Sequence, residues 1–530
     1  MRIPPVHIKL SALSMLLALA LAPAMAQTNT SQVAALKAAA ERALATNPEV
    51  AARFNAYRAS TDAIDVGQSA FRPKVDLTAS LGRDSDRITS RAPESQSLNR
   101  SGIALNATQL LWDGLNTRNE VGRLGHEKLT RYFEFLDVSE QTALEAVRAH
   151  IDVQRYRRLV KLAEDNYVQH KYASLQIQSR VKAGVGRGVD AEQANARLAL
   201  AESNLVTETA NLHDVTARYQ RVVGSAPGAA ATDIGKIPLA LPANAEEVAT
   251  TAIKQNSSIS ASIEALRAAR SSADARQSAF QPRVEARLRG GVGNNFDGVR
   301  DQRNGTTAEI VMNWNLYNGG ADQARVRQQV NVLGQAGDLR DKACRDTRQT
   351  ALIAYNDTRK LTEQLIYLDR NTLSIEKARD AYRQQFDIGQ RSLLDLLNAE
   401  NEVYTAKRAY SNAEADLGLA QMRTQAAMGQ LTNQLGMAKS VGQNGADETA
   451  GWAAGDDAPA ARCPVLLADV KASDKAELDV RAQRIAAAVA PLPAPVVAPA
   501  PAPAPVVSPA PAPVSKAKAK SKKSKRAKKQ

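Results

Sequence analysis

Five histidines, two cysteines and a glycine-rich segment are the residues of this chain that first suggest chemistry. Gly184, Gly186 and Gly188 alternate, but they lie between two helical patterns and do not follow a strand, so they do not form a dinucleotide fingerprint. The histidines show no clustering at metal-ligand spacing; they are His7, His126, His150, His170 and His213. With no nucleophile–base arrangement either, the sequence predicts no enzyme, no metal and no cofactor.

Charged residues beside two glycine turns are stronger candidates. Asp190 follows the turn at residues 184–188, and Arg391 and Asp395 follow the turn at Gly389. Aspartate is a preferred helix N-cap, so both aspartates could simply cap the helices that begin there. Alternatively, charge pairs between neighbouring helices could hold a helical tip closed and exchange with the charges of a partner. Both interpretations stay open at this point.

Long helical patterns surround these turns. Residues 191–222 hold apolar side chains at alternating spacings of three and four, with only Glu208 polar, and residues 396–427 repeat the series with only Thr424 polar. This period of 3.5 residues is typical of coiled coils. No proline interrupts residues 321–386, which at 1.5 Å per residue predicts a helix about 100 Å long. A structural coiled coil without a pore would show the same helices.

The chain contains an internal duplication. Gln-Ser-Ala-Phe-Arg-Pro, ending at Pro73, returns as Gln-Ser-Ala-Phe-Gln-Pro, ending at Pro282. Leu-Trp-Asp-Gly, ending at Gly114, returns as Leu-Tyr-Asn-Gly, ending at Gly319. The offset falls from 209 to 205 residues between the two motifs. We therefore expect a loop longer by four residues in the first copy, within residues 83–100.

Segments of alternating polarity follow each proline. Residues 75–81 are apolar at every second position, and residues 283–289 and 307–316 repeat the pattern with charged or polar residues between. A period of two with one apolar and one polar face predicts β-hairpins. A half-buried sheet in a soluble protein would show the same alternation.

Aromatic residues near the strand ends favour a sheet that faces lipid. Trp112, Trp314 and Tyr317 suit an interfacial aromatic girdle. Two hairpins provide four strands, and an unclosed sheet edge is not tolerated in lipid. A barrel would therefore have to be shared between subunits, and three of them would supply twelve strands.

The two ends of the chain indicate export and an appendage. Residues 1–26 combine basic residues, a short apolar core and an Ala-Met-Ala site, which predicts a signal peptide, the alternative being a buried N-terminal helix. No cysteine ends this signal, so no lipid anchor is expected. The net charge of +14 is concentrated in residues 515–530, which hold nine Lys/Arg and no acids. Alone this tail would suggest nucleic-acid binding, but a signal peptide argues against a nucleic-acid partner.

Cys344 and Cys463 are expected to be unpaired. An exported protein could join them. However, Cys344 falls within a helical pattern and Cys463 within a weakly patterned region.

Residues of about 33–435 resemble the TolC family of outer-membrane efflux proteins. The resemblance rests on the order and duplication of four motifs: Leu-Ala-Thr-Asn-Pro-Glu-Val at residues 44–50, the Ala-Phe-x-Pro strand starts, the two strand-to-helix joints and the paired Gly-x5-Asp turns. It implies an α+β membrane protein of the cell outer membrane. Four strands per protomer would form a trimeric twelve-stranded β-barrel, continuous with a long α-helical coiled-coil tunnel in the periplasm. The implied partners are a periplasmic adaptor and an inner-membrane ABC transporter or other pump.

The resemblance also assigns roles at the helical tips. In the family an arginine bonded to an aspartate on the neighbouring coiled coil holds the tip shut, and these positions are matched here by Arg391 and Asp190. Asp395 matches the first of two acidic rings at the entrance, whereas the second position is Asn398. The gating tyrosine position is Phe386, which cannot donate a hydroxyl hydrogen bond.

The chain looks similar to the family branch that serves type I secretion. Residues 184–190 and 198–205 carry that likeness. The expected function is an exit duct for proteins of the adhesin or toxin type. Small-molecule efflux is the alternative within the family, and a structural envelope coiled coil without a pore is the alternative of another class.

The predicted organisation has five parts. A signal peptide (1–26) precedes a first helix–hairpin–helix repeat (27–229) and a second repeat (230–440). A C-terminal extension (441–490) precedes a Pro/Ala-rich spacer and Lys-rich tail (491–530), for which we expect disorder.

Overall fold

A computed structural model of the chain describes residues 24–228, 237, 240–437, 448–459, 462–468, 470 and 472–488. Most of the predicted signal peptide and the whole predicted tail lie outside these residues. The first copy of the duplicated unit comprises α1 (Ala24–Thr46), α2 (Pro48–Ser69), β1 (Lys74–Arg87), β2 (Ser95–Trp112), α3 (Asn116–Lys182) and α4 (Gly188–Val223). The second comprises α5 (Ala245–Gln255), α6 (Ser257–Arg276), β3 (Arg283–Asn294), β4 (Asn304–Asn313), α7 (Ala321–Asp387) and α8 (Leu393–Ala427). Two further helices follow, α9 (Leu431–Gln434) and α10 (Lys475–Ala488).

The duplication extends to the helix boundaries. Helices α3 and α7 each contain 67 residues, so each is about 100 Å long. The breaks between α1 and α2 and between α5 and α6 are also equivalent. Asn47 and Asn256 each cap the following helix, because their side chains accept hydrogen bonds from the backbone N–H two residues on, at 2.8 and 3.0 Å. The predicted long helices are therefore confirmed.

The four strands form one antiparallel sheet in the order β1-β2-β3-β4. The hairpins of the two copies join through β2 and β3, where Gly102 pairs with Gly293 and Ala107 with Leu288. The alternating pattern thus predicted the strand number correctly.

The prediction of a longer loop in the first hairpin is wrong. The turn between β1 and β2 covers only residues 88–94, whereas the turn between β3 and β4 covers residues 295–303. The extra length lies instead in the strands, which have 14 and 18 residues against 12 and 10 in the second hairpin. Loss of apolar alternation does not end a strand where both of its faces meet water, so residues 83–87 continue the ladder.

The long helices pair as predicted. Helix α4 packs along α3, and α8 packs along α7. Seven of the ten heptad positions of α4 are buried. The polar one, Glu208, is buried as well and bonds Arg408 of α8 at 2.7 Å, which joins the two coiled coils. None of the helices in the described part of the chain has a stretch long and apolar enough to span a membrane.

A C-terminal segment packs back against the half of the long helices that lies nearer the sheet. We call the described residues between 448 and 464 the strap. Glu448 accepts hydrogen bonds from the Tyr57 hydroxyl at 2.7 Å and the Lys128 ammonium at 2.8 Å. Trp452 stacks edge-on against Phe133, with 4.8 Å between ring centroids.

The strap also contacts α6, where the carboxylate of Glu264 is fully buried. The Trp452 indole N–H donates to this carboxylate at 2.7 Å, and Arg267 pairs with it at the same distance. Arg267 in turn reaches Asp457 of the strap at 2.9 Å. These contacts link the strap to three elements of the repeats.

The expectation of unpaired cysteines is wrong. Cys344 and Cys463 form a disulfide that joins α7 to the strap, with 6.3 Å between their Cα atoms. Cys344 does lie within a helix, but it belongs to a small buried cluster with Ile259, Ile263 and Cys463. The segment around Cys463 carries little periodicity because its position depends on contacts with α6 and α7 rather than on a helical face.

Residues 468–530 form a second unit of the chain. Its described part contains α10, in which every side chain is exposed. Among the described residues of 441–490, the weakly helical character predicted for this range corresponds to α10 and to a single 3-10 turn at Gly455–Asp457.

Candidate functional site: the helical tips and the channel surfaces

The two turns at the ends of the coiled coils have the same backbone structure. Gly184 and Gly389 take φ values of +75° and +77°, the left-handed region that favours glycine. In each turn the residue after this glycine donates its N–H to a carbonyl five residues earlier, from Val185 to Arg180 at 3.0 Å and from Gln390 to Gln385 at 2.8 Å. This pattern ends one helix and lets the chain reverse into the next.

The turn of the first coiled coil contains two further glycines. At Gly186 a Cβ atom would lie 2.9 Å from the backbone N of Val181, so a larger residue would collide with the end of α3. Gly188 is the first residue of α4 and has open space around it. Three of the four glycines predicted for the tips, Gly184, Gly186 and Gly389, therefore lie in the turns, and Gly188 begins α4.

Neither candidate aspartate is an N-cap. The N-cap of α4 is Arg187 and that of α8 is Ser392, so Asp190 and Asp395 each occupy the third helical position. The Ser392 hydroxyl donates to the Asp395 carboxylate at 2.9 Å and accepts the Asp395 N–H at 3.3 Å. Both aspartates still favour the helix start electrostatically, because a negative charge in the first turn meets the positive end of the helix dipole.

Arg391 is held by contacts within its own coiled coil. Its guanidinium lies 3.4 Å from the carboxylate of Asp395 and donates to the Gln385 side chain at 3.1 Å. It also lies 4.4 Å from the centre of the Tyr382 ring. All three contacts are solvent-exposed or partly so, and pairs of this kind each contribute under about 1 kcal/mol. The arginine can therefore leave this position at little cost.

Asp190 is on the other coiled coil of the protomer. Within the described residues of one protomer it forms no ion pair with Arg391 or with any other base. The structure of a single protomer thus does not bring the two family-matched gate residues together.

Phe386 lies between the two coiled coils rather than at the surface. Only 4 % of it is exposed, and it packs in a cluster with Ala173, Ile177, Ala194, Leu393, Leu396 and Leu397. The Arg180 guanidinium lies over its ring at 4.7 Å. The side chain therefore acts here through packing and a cation–π contact.

Asn398 also bridges the coiled coils. Its side-chain oxygen accepts a hydrogen bond from Arg197 of α4 at 2.8 Å. A neutral amide at this position accordingly has a cationic partner within the protomer.

A buried polar cluster above the tip was missed by the sequence reasoning. Glu400 of α8 is buried and pairs with Arg379 at 3.1 Å and with Arg383, which also donates to Gln169 of α3 at 2.7 Å. A cleft of about 350 Å³ opens beside Arg383 and Glu400. The sequence feature that could have predicted this cluster is a pair of arginines four residues apart on α7, Arg379 and Arg383, with Glu400 on the following helix.

His170 adjoins this cluster and is 2 % exposed. Burial lowers its pKa; the carboxylate of Glu400 opposes this shift, and the guanidinium of Arg197 adds to it. Among the described residues its Nδ1 finds no hydrogen-bond partner. The imidazole is therefore neutral, and one of its buried ring nitrogens lacks a hydrogen bond within the described structure.

The predicted girdle residues lie at the end of the sheet nearest the helices. Trp112 is the last residue of β2. Trp314, which was predicted to lie within the return strand, follows the end of β4, and Tyr317 lies just beyond it as expected. Trp314 donates its indole N–H to the carbonyl of Phe280 at 3.2 Å. All three side chains are exposed. They are close to one end of an exposed apolar sheet face that includes Leu77, Leu105, Leu288, Ile310 and Met312.

A model of the outer membrane efflux protein family matches residues 39–225 and 248–430, well over half of the chain. The chain belongs to this family. One matched stretch lies in each copy of the duplicated unit, so the family model covers both coiled coils and both hairpins.

Relatives in this family are similar over most of the chain. The outer membrane efflux protein BepC of Brucella suis is 26 % identical over 383 residues, which cover 72 % of this chain and 82 % of BepC. The outer membrane protein TolC of Escherichia coli is 23 % identical over 428 residues, 77 % of this chain and 84 % of TolC. The crystal structure of the outer membrane protein VceC from Vibrio cholerae superposes with a TM-score of 0.65 and 15 % identity, covering 76 % of this chain and 97 % of VceC.

Family membership confirms several predictions. The protein is an outer-membrane channel of the efflux family, whose members serve tripartite systems, with a trimeric β-barrel to which each protomer gives four strands and a helical tunnel in the periplasm. The family consists of ducts rather than enzymes. The family does not distinguish protein secretion from small-molecule efflux.

Proposed function

We propose that this efflux-family channel is the outer-membrane exit duct of a type I protein secretion system, serving an ABC transporter through a periplasmic adaptor. The main observation in support is the tip of the first coiled coil, whose residues 184–190 resemble the type I secretion branch of the family. Val185 and Val189 of this tip are 79 % and 76 % exposed, and Ile388 of the other tip is 69 % exposed. Exposed apolar side chains at both tips offer a docking surface for the adaptor.

The gate of the duct, in this proposal, lies at the second tip. Arg391 would exchange its contact with Asp395 for the Asp190 carboxylate of a neighbouring protomer, and three such pairs would hold the tunnel entrance closed. Support comes from the weak, exposed contacts of Arg391 and from the unpaired state of Asp190 within the described protomer. Asp395 would form one acidic ring at the entrance. Phe386 and Asn398 would brace the two coiled coils against each other during opening.

We also propose where the barrel meets the periplasmic side of the membrane and where the two repeats begin and end. Trp112, Trp314 and Tyr317 would mark the periplasmic interface of the barrel as an aromatic girdle. The repeats would occupy residues 27–229 and 230–440, followed by the extension.

Small-molecule efflux is the second candidate. It is favoured by the family description and by the relative BepC, which is named an outer membrane efflux protein. A duct of this kind would use the same trimer and the same tip, with a different pump below it.

Deletion of the gene distinguishes the two functions. In the parent strain, the deletion strain and a complemented strain, secreted proteins are quantified in the culture medium, and minimal inhibitory concentrations are measured for a panel of antibiotics, dyes and detergents. Loss of one or a few large proteins from the medium, restored by complementation and without a change in drug sensitivity, supports secretion. Unchanged secreted proteins with raised drug sensitivity would overturn the secretion proposal in favour of efflux.

A further inference from the structure

The loop between β3 and β4 folds back over the sheet instead of extending beyond it. We call residues 295–303 the exit loop. Its Phe296 is only 5 % exposed, although it lies in a loop of the hairpin. A Cβ atom built on Gly291 would lie 2.1 Å from Cζ of this ring, and one on Gly102 would lie 2.6 Å from Cδ2. The ring therefore rests directly on the backbone of β2 and β3.

Four glycines form the surface under this ring. Gly102 pairs with Gly293, and Gly291 pairs with Gly305, in adjacent strands. Cβ atoms at Gly293 and Gly305 would lie 3.1 and 3.4 Å from atoms of the Phe296 ring. Glycine weakens a strand and often marks a place where another group must approach closely. The ring excludes a Cβ atom at Gly102 and Gly291, whereas at Gly293 the carbonyl oxygen of Ser101, 2.1 Å from the built Cβ, already does so.

Polar contacts fasten the exit loop. The Arg289 guanidinium pairs with Asp297 at 2.7 Å and lies 5.3 Å from the centre of the Phe296 ring. The Asn295 side chain donates to the carbonyl of Asn99 in β2 at 2.8 Å. Asn295 and Asp297 adopt φ values of +48° and +55°, which turn the loop inward. The loop is thus tied to strands of both hairpins.

The ring lies on the polar face of the sheet. Gly291 and Gly293 share the face of Arg289, because side chains two residues apart on a strand point the same way. The opposite face carries exposed apolar residues, among them Leu77, Leu288, Val292 and Ile310. In a membrane β-barrel the apolar face meets lipid and the polar face lines the lumen. Phe296 and its loop accordingly lie inside the lumen.

The exit loop is at the outer end of the barrel. Helix α6 precedes β3 and helix α7 follows β4, so the turn between the strands lies at the end away from the periplasmic helices. A trimer places three such loops around the axis.

We propose that the three exit loops form a constriction at the outer mouth of the barrel, and that Phe296 in its glycine cradle holds each loop inward. The constriction sets the size of what can pass between the lumen and the exterior. It depends on the channel that the family establishes and is the same for a protein or a small-molecule cargo. It is separate from the gate proposed at the periplasmic tip.

The test measures access from outside to a thiol placed below the loops. Both native cysteines are paired, so Asn106→Cys supplies a single free thiol. Asn106 pairs with Arg289, shares its face, and lies four residues from Gly102 toward the helices, about 13 Å further in. Intact cells are treated with a small, charged maleimide or with a maleimide on a long poly(ethylene glycol) chain. Labelling rates are measured on the purified trimer.

Three second-site variants are compared on this background. Phe296→Ala removes the ring, and Gly291→Ala displaces it without changing it. Gly290→Ala is the matched control, because it adds the same methyl group to the next residue of β3, where nothing lies within 4 Å. We expect Phe296→Ala and Gly291→Ala to accelerate labelling by the large reagent by roughly tenfold or more, the effect of a shift of about 1.4 kcal/mol in loop opening. Gly290→Ala should leave the rate unchanged.

Each other result overturns the proposal. Rapid labelling by the large reagent in Asn106→Cys alone would show an open mouth. Equal rates in all four proteins would show that Phe296 does not control access. Absence of labelling by the small reagent before unfolding would show that the polar face does not line the lumen. Because Gly291→Ala keeps the aromatic ring, failure of Phe296→Ala to form trimers leaves a complete test.

Discussion

His170 is a buried histidine whose replacement should stabilise the trimer and reduce its sensitivity to acid. Its equivalent in the second copy, 205 residues later, is Ile375. We therefore consider His170→Ile, which inserts the residue that the second copy of the unit already holds at the equivalent position. At neutral pH the change removes a buried ring nitrogen that has no hydrogen-bond partner in the described structure. An unsatisfied buried polar atom costs about 1–3 kcal/mol, so unfolding should become harder by up to that amount per protomer.

The pH dependence follows from the direction of the pKa shift. Burial lowers the pKa of His170 below its ordinary value of 6.5. The unfolded chain therefore binds a proton that the folded chain does not, and stability falls as pH drops below 6.5 until the folded pKa is reached. Within this pH range the free energy of unfolding falls by up to about 1.4 kcal/mol per pH unit for each histidine. For a trimer that unfolds as one unit, this amounts to about 4 kcal/mol per pH unit. His170→Ile removes this contribution.

The measurement is thermal unfolding of the detergent-solubilised trimer at one pH above and one below 6.5. The melting temperature of His170→Ile should exceed that of the wild type at both, and by more at the lower pH. The His170→Ile variant keeps some sensitivity to acid, because the pKa of His150 is also lowered, chiefly by burial and to a smaller extent by the charge of Arg157. His213→Asn is the matched control, since the His213 side chain is 83 % exposed. An equal acid-induced fall in His170→Ile and wild type would refute the reasoning.

Three other predictions address the gate, the strap and a buried carboxylate. Arg391→Ser should raise single-channel conductance in planar bilayers, whereas Arg187→Ser at the other tip should not; unchanged conductance for Arg391→Ser would contradict the gate. Replacing both Cys344 and Cys463 by serine should lower the melting temperature. The disulfide closes a loop of 119 residues, and the lost entropy of the unfolded chain stabilises the folded state by up to about 5 kcal/mol. Wild-type protein in reductant should melt at the same temperature as this variant. An unchanged melting temperature would show that the strap is held without the disulfide. Burial raises the pKa of Glu140 above 4.5, and hydrogen bonds from Thr432 and Leu431 oppose this shift. The contribution of Glu140 to the stability of the fold is therefore most favourable at low pH and declines as the pH rises through the raised pKa. Glu140→Gln should flatten this pH dependence of the melting temperature, and the same slope as in the wild type would exclude the Glu140 carboxyl as its source.

The repeated pattern along the chain determined the helices and strands. The absence of proline from residues 321–386 predicted the length of α7. Heptad spacing predicted the coiled coils and alternation predicted the four strands, because each period records which face of a local element is buried. The glycine turns were equally predictable, since a left-handed backbone restricts residue type at single positions such as Gly389. Motif order then indicated the family and, with it, the trimer.

The capping interpretation and the extra hairpin length show the limit of such local patterns. Asp395 was a reasonable cap by residue type, yet Ser392 takes that position. The choice depends on where the backbone leaves the turn, which composition does not encode.

Only the tertiary structure decided which distant segments meet. The pairing of Cys344 with Cys463 and the seat of Phe296 on Gly102 both join residues more than a hundred positions apart. Periodicity specifies a buried face but not its partner, and segments such as the strap and the exit loop have no period at all. Their positions depend on surfaces that form only when the helices and the sheet have assembled. The Phe296 ring needs a part of the sheet that is free of side chains, and Trp452 needs the buried carboxylate of Glu264 as a hydrogen-bond acceptor.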